Sequence, residues 1–379
     1  MDLNIEELSF WERKNYFEGI DFLIVGSGIV GLSAAIALKN KYPNSKILIT
    51  ERGYLPSGAS TKNAGFACFG SPTEIIDDLN HIPEQTVWNT VAKRWEGLKQ
   101  LLELTGKEDI DFQQNGSWDL ILPDQFSLRN ETSDALPYLN DEFLKITGIS
   151  NALSEDQSCT DKFGFKGVHS AFYNKLEGQI DTAKLINRLN QIATEKGILQ
   201  LYGLEIEGFQ TNYYNVGIQS NKGFFKVNHL LVCTNGFAKK FFPHFDVNPA
   251  RAQVMVTTHI PDLKIEGTFH LDKGYYYFRN FDNRILIGGG RNLDFEGENT
   301  YEFGTTDLIA NRLQQLLKEN ILPNNDFSIE YRWSGIMGMG KTKEPIVKKI
   351  DDKIAVGVRL GGMGVAIGNS IGKELADLF

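Results

Sequence analysis

The sequence predicts an α/β protein that opens on a parallel sheet and continues into a second, α+β domain rich in antiparallel strands. Three stretches predict it. Residues 20–51 read as strand (DFLIV), glycine turn, helix to about Lys41, turn at Pro43-Asn44 and strand (KILIT). That is the order of a βαβ unit, whose helical crossover makes its two strands parallel. HLLVCTNG at 229–236 returns as a further buried strand of the same sheet. TFHLDKGYYYFRNFDNRILIGGGR alternates its side chains on either side of Asp282-Asn283, the pattern of a hairpin.

Size and composition suit that division. A chain of 379 residues fits two or three domains at roughly 100 to 200 residues each. Hydrophobic residues at 41% and charged residues at 23% are the balance of packed globular domains. Lys plus Arg number 39 against 48 Asp plus Glu, a net charge of −9. This is the wrong sign for a surface that neutralises a phosphate backbone, so no nucleic acid partner is expected. Cys68, Cys159 and Cys233 are odd in number and widely spaced, which argues against a disulfide framework or zinc site and for a reducing cytoplasm. Glu6, Glu7, Glu12 and Arg13 near the start do not make a signal peptide. The apolar run from Ile20 to Leu38 is broken by three glycines into a β-branched strand and an alanine-rich helix, so no membrane span is expected.

Other elements follow by period. Val87, Val91, Trp95, Leu98 and Leu102 recur at helical spacing within 84–104, a stripe read as core. A helix over 182–196 has Asp181 to cap its start and Gly197 to end it. A further helix is expected from about Thr306 to Asn320. KIAVGV then forms a buried strand, Gly361 to Gly364 a turn, and the remainder a closing helix.

Gly26-Ser27-Gly28-Ile29-Val30-Gly31 matches G-x-G-x-x-G between the first strand and the first helix. Gly26 permits the tight turn, Gly28 lets backbone approach a pyrophosphate, and Gly31 lets helix and strand pack closely. The helix N-terminus at Ile29 and Val30 would then aim its N–H groups at phosphate. Glu51 ends the second strand 20 residues beyond Gly31 (51 − 31), followed by Arg52. An acid there accepts hydrogen bonds from ribose hydroxyls and disfavours a 2′-phosphate. GASTKNAGFA at 58–67 comes next, small and hydroxyl residues with Ser60, Thr61, Lys62, Asn63, Gly65 and Phe66.

With that segment, Thr234-Asn235-Gly236 and Gly362-Met363-Gly364-Val365, the chain resembles the FAD-dependent D-amino-acid oxidase superfamily, which includes glycine oxidase, sarcosine oxidase and γ-glutamylputrescine oxidase. The resemblance covers nearly the whole chain. It implies a Rossmann-like FAD-binding domain (1–85, 150–240 and 328–379) with an interleaved antiparallel β-sheet substrate domain (86–149 and 241–327). It further implies that residues 60–66 line pyrophosphate and flavin, that Glu205 lies where backbone holds the adenine, and that the turn at Gly362–Val365 faces the flavin.

On the strand around 275–279, Tyr275, Tyr277 and Arg279 share one face. An Arg beside phenols suits a substrate carboxylate, which it grips with paired donors. Arg291 is a second candidate, and Trp333 and Tyr277 are expected to desolvate the site. Where glycine-oxidase-like members carry an Arg after Trp-x-Gly, this chain reads Trp333-Ser334-Gly335-Ile336-Met337. Met363 stands where many relatives have His, and no Cys lies nearby to tether flavin, so FAD is expected to be noncovalent. GIMGMGKT (335–342) satisfies a phosphate-loop pattern, but Pro345 leaves no room for the helix such a loop needs. The six histidines show no metal spacing, and no metal is expected.

The expected activity is oxidation of an amine or amino acid by hydride transfer to flavin, giving an imine that hydrolyses. The alternatives are 2-hydroxy-acid oxidation on the same scaffold or a flavin-binding protein without turnover. The electron acceptor, oxygen or another, stays open.

Overall fold

Strand Ile20–Val25 is the centre of an eight-stranded sheet because both of its faces are apolar. Phe22 and Ile24 enter a core shared with Ile29, Leu32 and Ile36, while Leu23 and Val25 enter the opposite one with Val216, Ile218 and Val356. Burial on two sides explains the unbroken apolar run, since a parallel strand has no solvent face to mark by alternation. The computed structural model describes residues 4–379. Across the sheet lie 346–349, 354–358, 223–232, 20–25, 47–51 and 199–202, with 206–211 and 216–220 folded back on the long strand Gly223–Val232. All neighbours from 354–358 to 199–202 are parallel.

Helices cover one face, and glycine sets how closely three of them cross. A Cβ on Gly372 of the closing helix Gly364–Asp377 would stand 2.7 Å from the Val30 carbonyl of the fingerprint helix Ile29–Lys41. One on Gly97 of helix Glu84–Thr105 would stand 2.4 Å from the Ala366 carbonyl. The stripe helix is therefore built into the first domain, with Val87, Val91, Leu98 and Leu101 in its core. This departs from the expected boundary at 86.

The second sheet also has eight strands, ordered 329–339, 248–257, 284–289, 276–281, 268–271, 117–121, 170–174 and 153–156. It is antiparallel apart from the pair 268–271 with 117–121. Segments 153–156, 170–174 and 329–339, expected in the first domain, belong here, because their ladders run with the second sheet. Phe269 and Phe278 stack at 4.7 Å and Trp118 joins them in its core.

Several local expectations hold. Asp181 caps Thr182–Glu195 by accepting from the N–H groups of Ala183 and Lys184. Asp282 and Asn283 both adopt positive φ, 49° and 51°, the two left-handed residues that a two-residue hairpin turn requires. The helix expected over 306–320 is α-helical only over Asp307–Leu316 and widens to a π turn at Leu317–Ile321. Helix Phe126–Thr147 was not legible, because it buries only Thr132, Leu139 and Phe143. No helix among the described residues is long and apolar enough to cross a membrane.

Candidate active site

A cavity of about 560 Å³ lies between the two sheets, with Gly28, Glu51 and Glu205 on its wall from the first and Tyr277 and Arg291 from the second. Such a crevice, where two domains meet, is where ligands are most often held.

The fingerprint turn builds the first wall. Gly26 has φ 107°, and a Cβ there would stand 2.9 Å from the Cys233 carbonyl. A Cβ on Gly31 would stand 2.0 Å from the Gly26 carbonyl. Gly31 is thus a packing residue off the cavity, while Gly26, Gly28, Ile29 and Val30 line it. Gly28 leaves the fingerprint helix without a side-chain cap of its own. Ser60 supplies one, its Oγ accepting from Ile29 N–H at 3.0 Å.

Glu51 organises the same corner. One carboxylate oxygen accepts from Ser27 Oγ at 3.0 Å, and the other from Gly53 N–H and Ser57 Oγ at 3.1 and 3.2 Å. Arg52 lies 3.9 Å over the Phe237 ring. Glu205 is on the wall, but its backbone N–H and carbonyl already pair with Asn221.

Ser60, Lys62, Asn63 and Phe66 line the cavity; Thr61 and Gly65 do not. Thr61 bonds the Pro56 carbonyl, and Gly65 turns the chain at φ 76°. Thr234 and Asn235 also line it, and Thr234 Oγ1 is buried without a partner among the described residues. Asn235 Oδ1 accepts from Arg359 N–H at 3.2 Å, tying the middle turn to the closing one. Gly236 lies off the cavity because a Cβ there would meet the Met337 carbonyl at 2.3 Å. Gly362, Met363, Gly364 and Val365 are on the wall, so the uncapped N-terminus of the closing helix borders the cavity.

On the second sheet the outcome separates two arginines. Arg279 shares a face with Tyr277, as alternation required, but segment 63–66 crosses over it. Its Nη1 donates to the carbonyls of Gly65 and Ile180 at 3.2 and 2.8 Å, and the residue is 3% exposed. Burial lowers its pKa to about 10. Arg279 is thus off the cavity wall and braces the segment that covers it. Arg291 is on the wall. Its side chain forms no ion pair or hydrogen bond among the described residues, and its Nε is buried without a partner. Trp333 is off the wall, its indole N–H donating to the Lys62 carbonyl at 2.9 Å; Met337 is on it.

Sequence reasoning missed a set of buried groups beside Phe66. Glu177 is fully buried, one oxygen accepting from the N–H groups of Phe69 and Gly70 at 2.6 Å each. Asp119 accepts from Ser71 Oγ and from Thr73 N–H and Oγ1. Burial raises the pKa of both acids. Together they clamp the stretch that carries Phe66 and Glu74. Cys68, Glu177 and His270 bring one ligand atom each within 4.8 Å of one another, a grouping that three distant sequence positions could not signal. Glu74 and Asp78, on helix Pro72–Leu79, share Lys343 at 2.7 Å each. Burial alone would raise Glu74, but Lys343 and Arg94 outweigh it and bring its carboxyl down to about 2. No helix follows GIMGMGKT, so it builds no phosphate loop.

A βαβ nucleotide corner and a cavity closed by a mainly antiparallel sheet define a dinucleotide-dependent oxidoreductase. The chain belongs to the FAD dependent oxidoreductase family (DAO), which it matches over residues 21–378. It is 22% identical over 86% of its length to the bifunctional protein ThiO/ThiG of Synechocystis, of which it spans 46%, about half that relative's length. It is 22% identical to the probable oxidoreductase OrdL of Rhizobium meliloti, over 94% of this chain and 82% of that one. In fold it is similar to L-proline dehydrogenase from P. horikoshii, with a TM-score of 0.74, 18% identity, and coverage of 95% and 93%.

The residues present fit FAD. Two long-helix N-termini border the cavity, an acid ends the second strand, and the buried Thr234 hydroxyl on the wall has no partner among the described residues.

Proposed function

We propose that this enzyme oxidises an amine that carries a carboxylate, an amino acid in the broad sense, with FAD held noncovalently. The carrying observation is the state of the charges on the wall. Glu74 and Asp78 are paired with Lys343, and Asp77 with Lys273, whereas Arg291 lies over the Phe295 ring at 4.9 Å and forms no ion pair or hydrogen bond among the described residues. Burial lowers the Arg291 pKa, so a substrate anion would restore what desolvation takes away. A plain polyamine finds no free acid to match it on that side.

When bound, FAD supplies the acceptor for a hydride from the substrate carbon, leaving an imine that water hydrolyses. The chain would supply the rest. Ile29 and Val30 at one helix end, with Ser60, would meet the pyrophosphate, and Glu51 the ribose. The closing helix, entered through Gly362–Val365, favours negative charge at its N-terminus and so the reduced cofactor. Arg291 would fork the carboxylate, with Tyr275 and Tyr277 shaping the pocket around it. Burial raises the Tyr277 pKa to about 12, which keeps it a neutral phenol. The wall thiols Cys68 and Cys233 are raised by burial as well, which disfavours the thiolate that a covalent link needs.

The test is anaerobic mixing with amino acids, with the amines that lack their carboxylate, and with 2-hydroxy acids. Flavin bleaching by the amino acids alone is the expected result. Bleaching by hydroxy acids or equally by decarboxylated amines would replace the proposed substrate class, and no bleaching by any would indicate a binding protein. Acid precipitation that leaves yellow colour on the protein would refute noncovalent binding.

A further inference from the structure

A second cavity, of about 320 Å³, lies behind the Lys343 bridge and shares Glu74, Asp78 and Lys343 with the first as a common wall. Much of its surface is apolar, with Ile75, Ile82, Val87 and Val91. Against them stands Arg94, on the same face of its helix as Val87 and Val91, at i+7 and i+3. Arg94 is 5% exposed. Its nearest carboxylate is Glu74 at 3.9 Å from Nη1, too far for a hydrogen bond, and that oxygen is already 2.7 Å from Lys343. Among the described residues its guanidinium donates no hydrogen bond.

Its nitrogens open on the cavity, and a guanidinium of five N–H donors with no hydrogen-bond acceptor of its own is matched by an acid that brings one. We propose that this cavity is a second ligand site, taking a small monocarboxylate with a short aliphatic body. The carboxylate would lie in the Arg94 fork and the aliphatic part against Ile75, Ile82, Val87 and Val91. A planar acid matches the fork in two parallel bonds. The other ionisable groups lining the cavity are His81, Lys341 and Glu344, with Lys343 engaged by Glu74 and Asp78. Glu74 and Asp78 tolerate one further negative charge beside Arg94 better than the two of a phosphate. The inference does not depend on the substrate proposed above, since the Lys343 bridge separates the two cavities.

Calorimetric titration of the flavin-loaded enzyme with butanoate, butanamide and inorganic phosphate tests it. In an Arg291→Met background, where the substrate cavity has lost its carboxylate fork, butanoate still binds one per chain, phosphate more weakly, and butanamide not at all. Arg94→Met weakens butanoate by at least about ten-fold, as loss of a forked ion pair does, and Arg94→Lys by less. Thr90→Phe, which keeps Arg94 and fills the void, also abolishes it, so the test survives if Arg94→Met does not fold. Arg291→Met removes any butanoate held in the substrate cavity and leaves the event at Arg94. Absence of butanoate binding at tens of millimolar would overturn the proposal. So would equal affinity in the Arg94 variants, tighter phosphate, a loss in Arg291→Met, or a butanoate-soaked crystal with only water on Arg94.

Discussion

The hydroxyl of Ser60 accepts the hydrogen bond of the Ile29 backbone N–H at 3.0 Å, across 31 residues of sequence. Two motifs that read as separate in the chain are thereby one structural unit. Ser60 does for the fingerprint helix what a neighbouring cap residue does elsewhere, because Gly28 has no side chain to offer. Ser60→Ala is expected to weaken FAD retention several-fold, in keeping with about 1 kcal/mol for a lost cap. Flavin fluorescence on dilution measures it. An unchanged dissociation constant would separate Ser60 from the cofactor.

Gly31→Ala tests the packing half of the fingerprint. Its Cβ would lie 2.0 Å from the Gly26 carbonyl, and backbone cannot yield as a flexible side chain can. A loss of about 3 kcal/mol or more is expected, together with loss of flavin. A variant that melts with the wild type would show that helix and strand can separate at no cost.

Buried Arg279 and half-buried Arg291 should respond in opposite ways. Arg279→Met strands the Ile180 carbonyl, while that of Gly65 keeps the Ile180 N–H at 2.9 Å, so it should cost about 1 to 2 kcal/mol of stability. Arg291→Met should leave the melting temperature near that of wild type but raise the substrate KM by about ten-fold or more, with flavin content kept. Exchange of these two outcomes would reverse the assignment.

Glu74 predicts an acid-side effect with a definite sign. Its carboxyl sits at about 2 in the folded chain against an ordinary 4.5, so its pairing stabilises the fold above the ordinary value and is lost as pH falls through the folded one. Lys343→Met should cost about 2 kcal/mol at neutral pH, allowing for the partial exposure of the pair. The gap from wild type should close as pH falls from 4.5 towards 2. Urea titrations of both proteins across that range check it, and a gap independent of pH would remove Glu74 from the account.

Thiol chemistry offers a test that needs no substrate. Cys68, Cys159 and Cys233 are free and buried, and burial raises all three thiols, Cys159 to about 11. Native protein should react negligibly with an aromatic disulfide reagent at mildly alkaline pH and release three equivalents once unfolded. Rapid reaction of one thiol in the native state would contradict the burial of that residue.

The sequence by itself determined the parallel opening sheet, the glycine turn with Glu51 at the end of the next strand, the Asp282-Asn283 hairpin and the closing helix. Each is specified locally: a strand buried on both faces must be apolar throughout, a tight turn needs glycine or a left-handed Asn, and a glycine turn after a buried strand marks where the closing helix begins. Only the tertiary structure decided where the domains divide, which of Arg279 and Arg291 reaches the cavity, and that Glu177, Asp119 and Lys343 act beside it. Strand alternation assigns a face to a side chain but cannot tell what crosses that face. In Arg279 the answer was the Gly65 carbonyl, contributed from 214 residues away. Burial and partnership depend on such distant segments, and no local pattern encodes them.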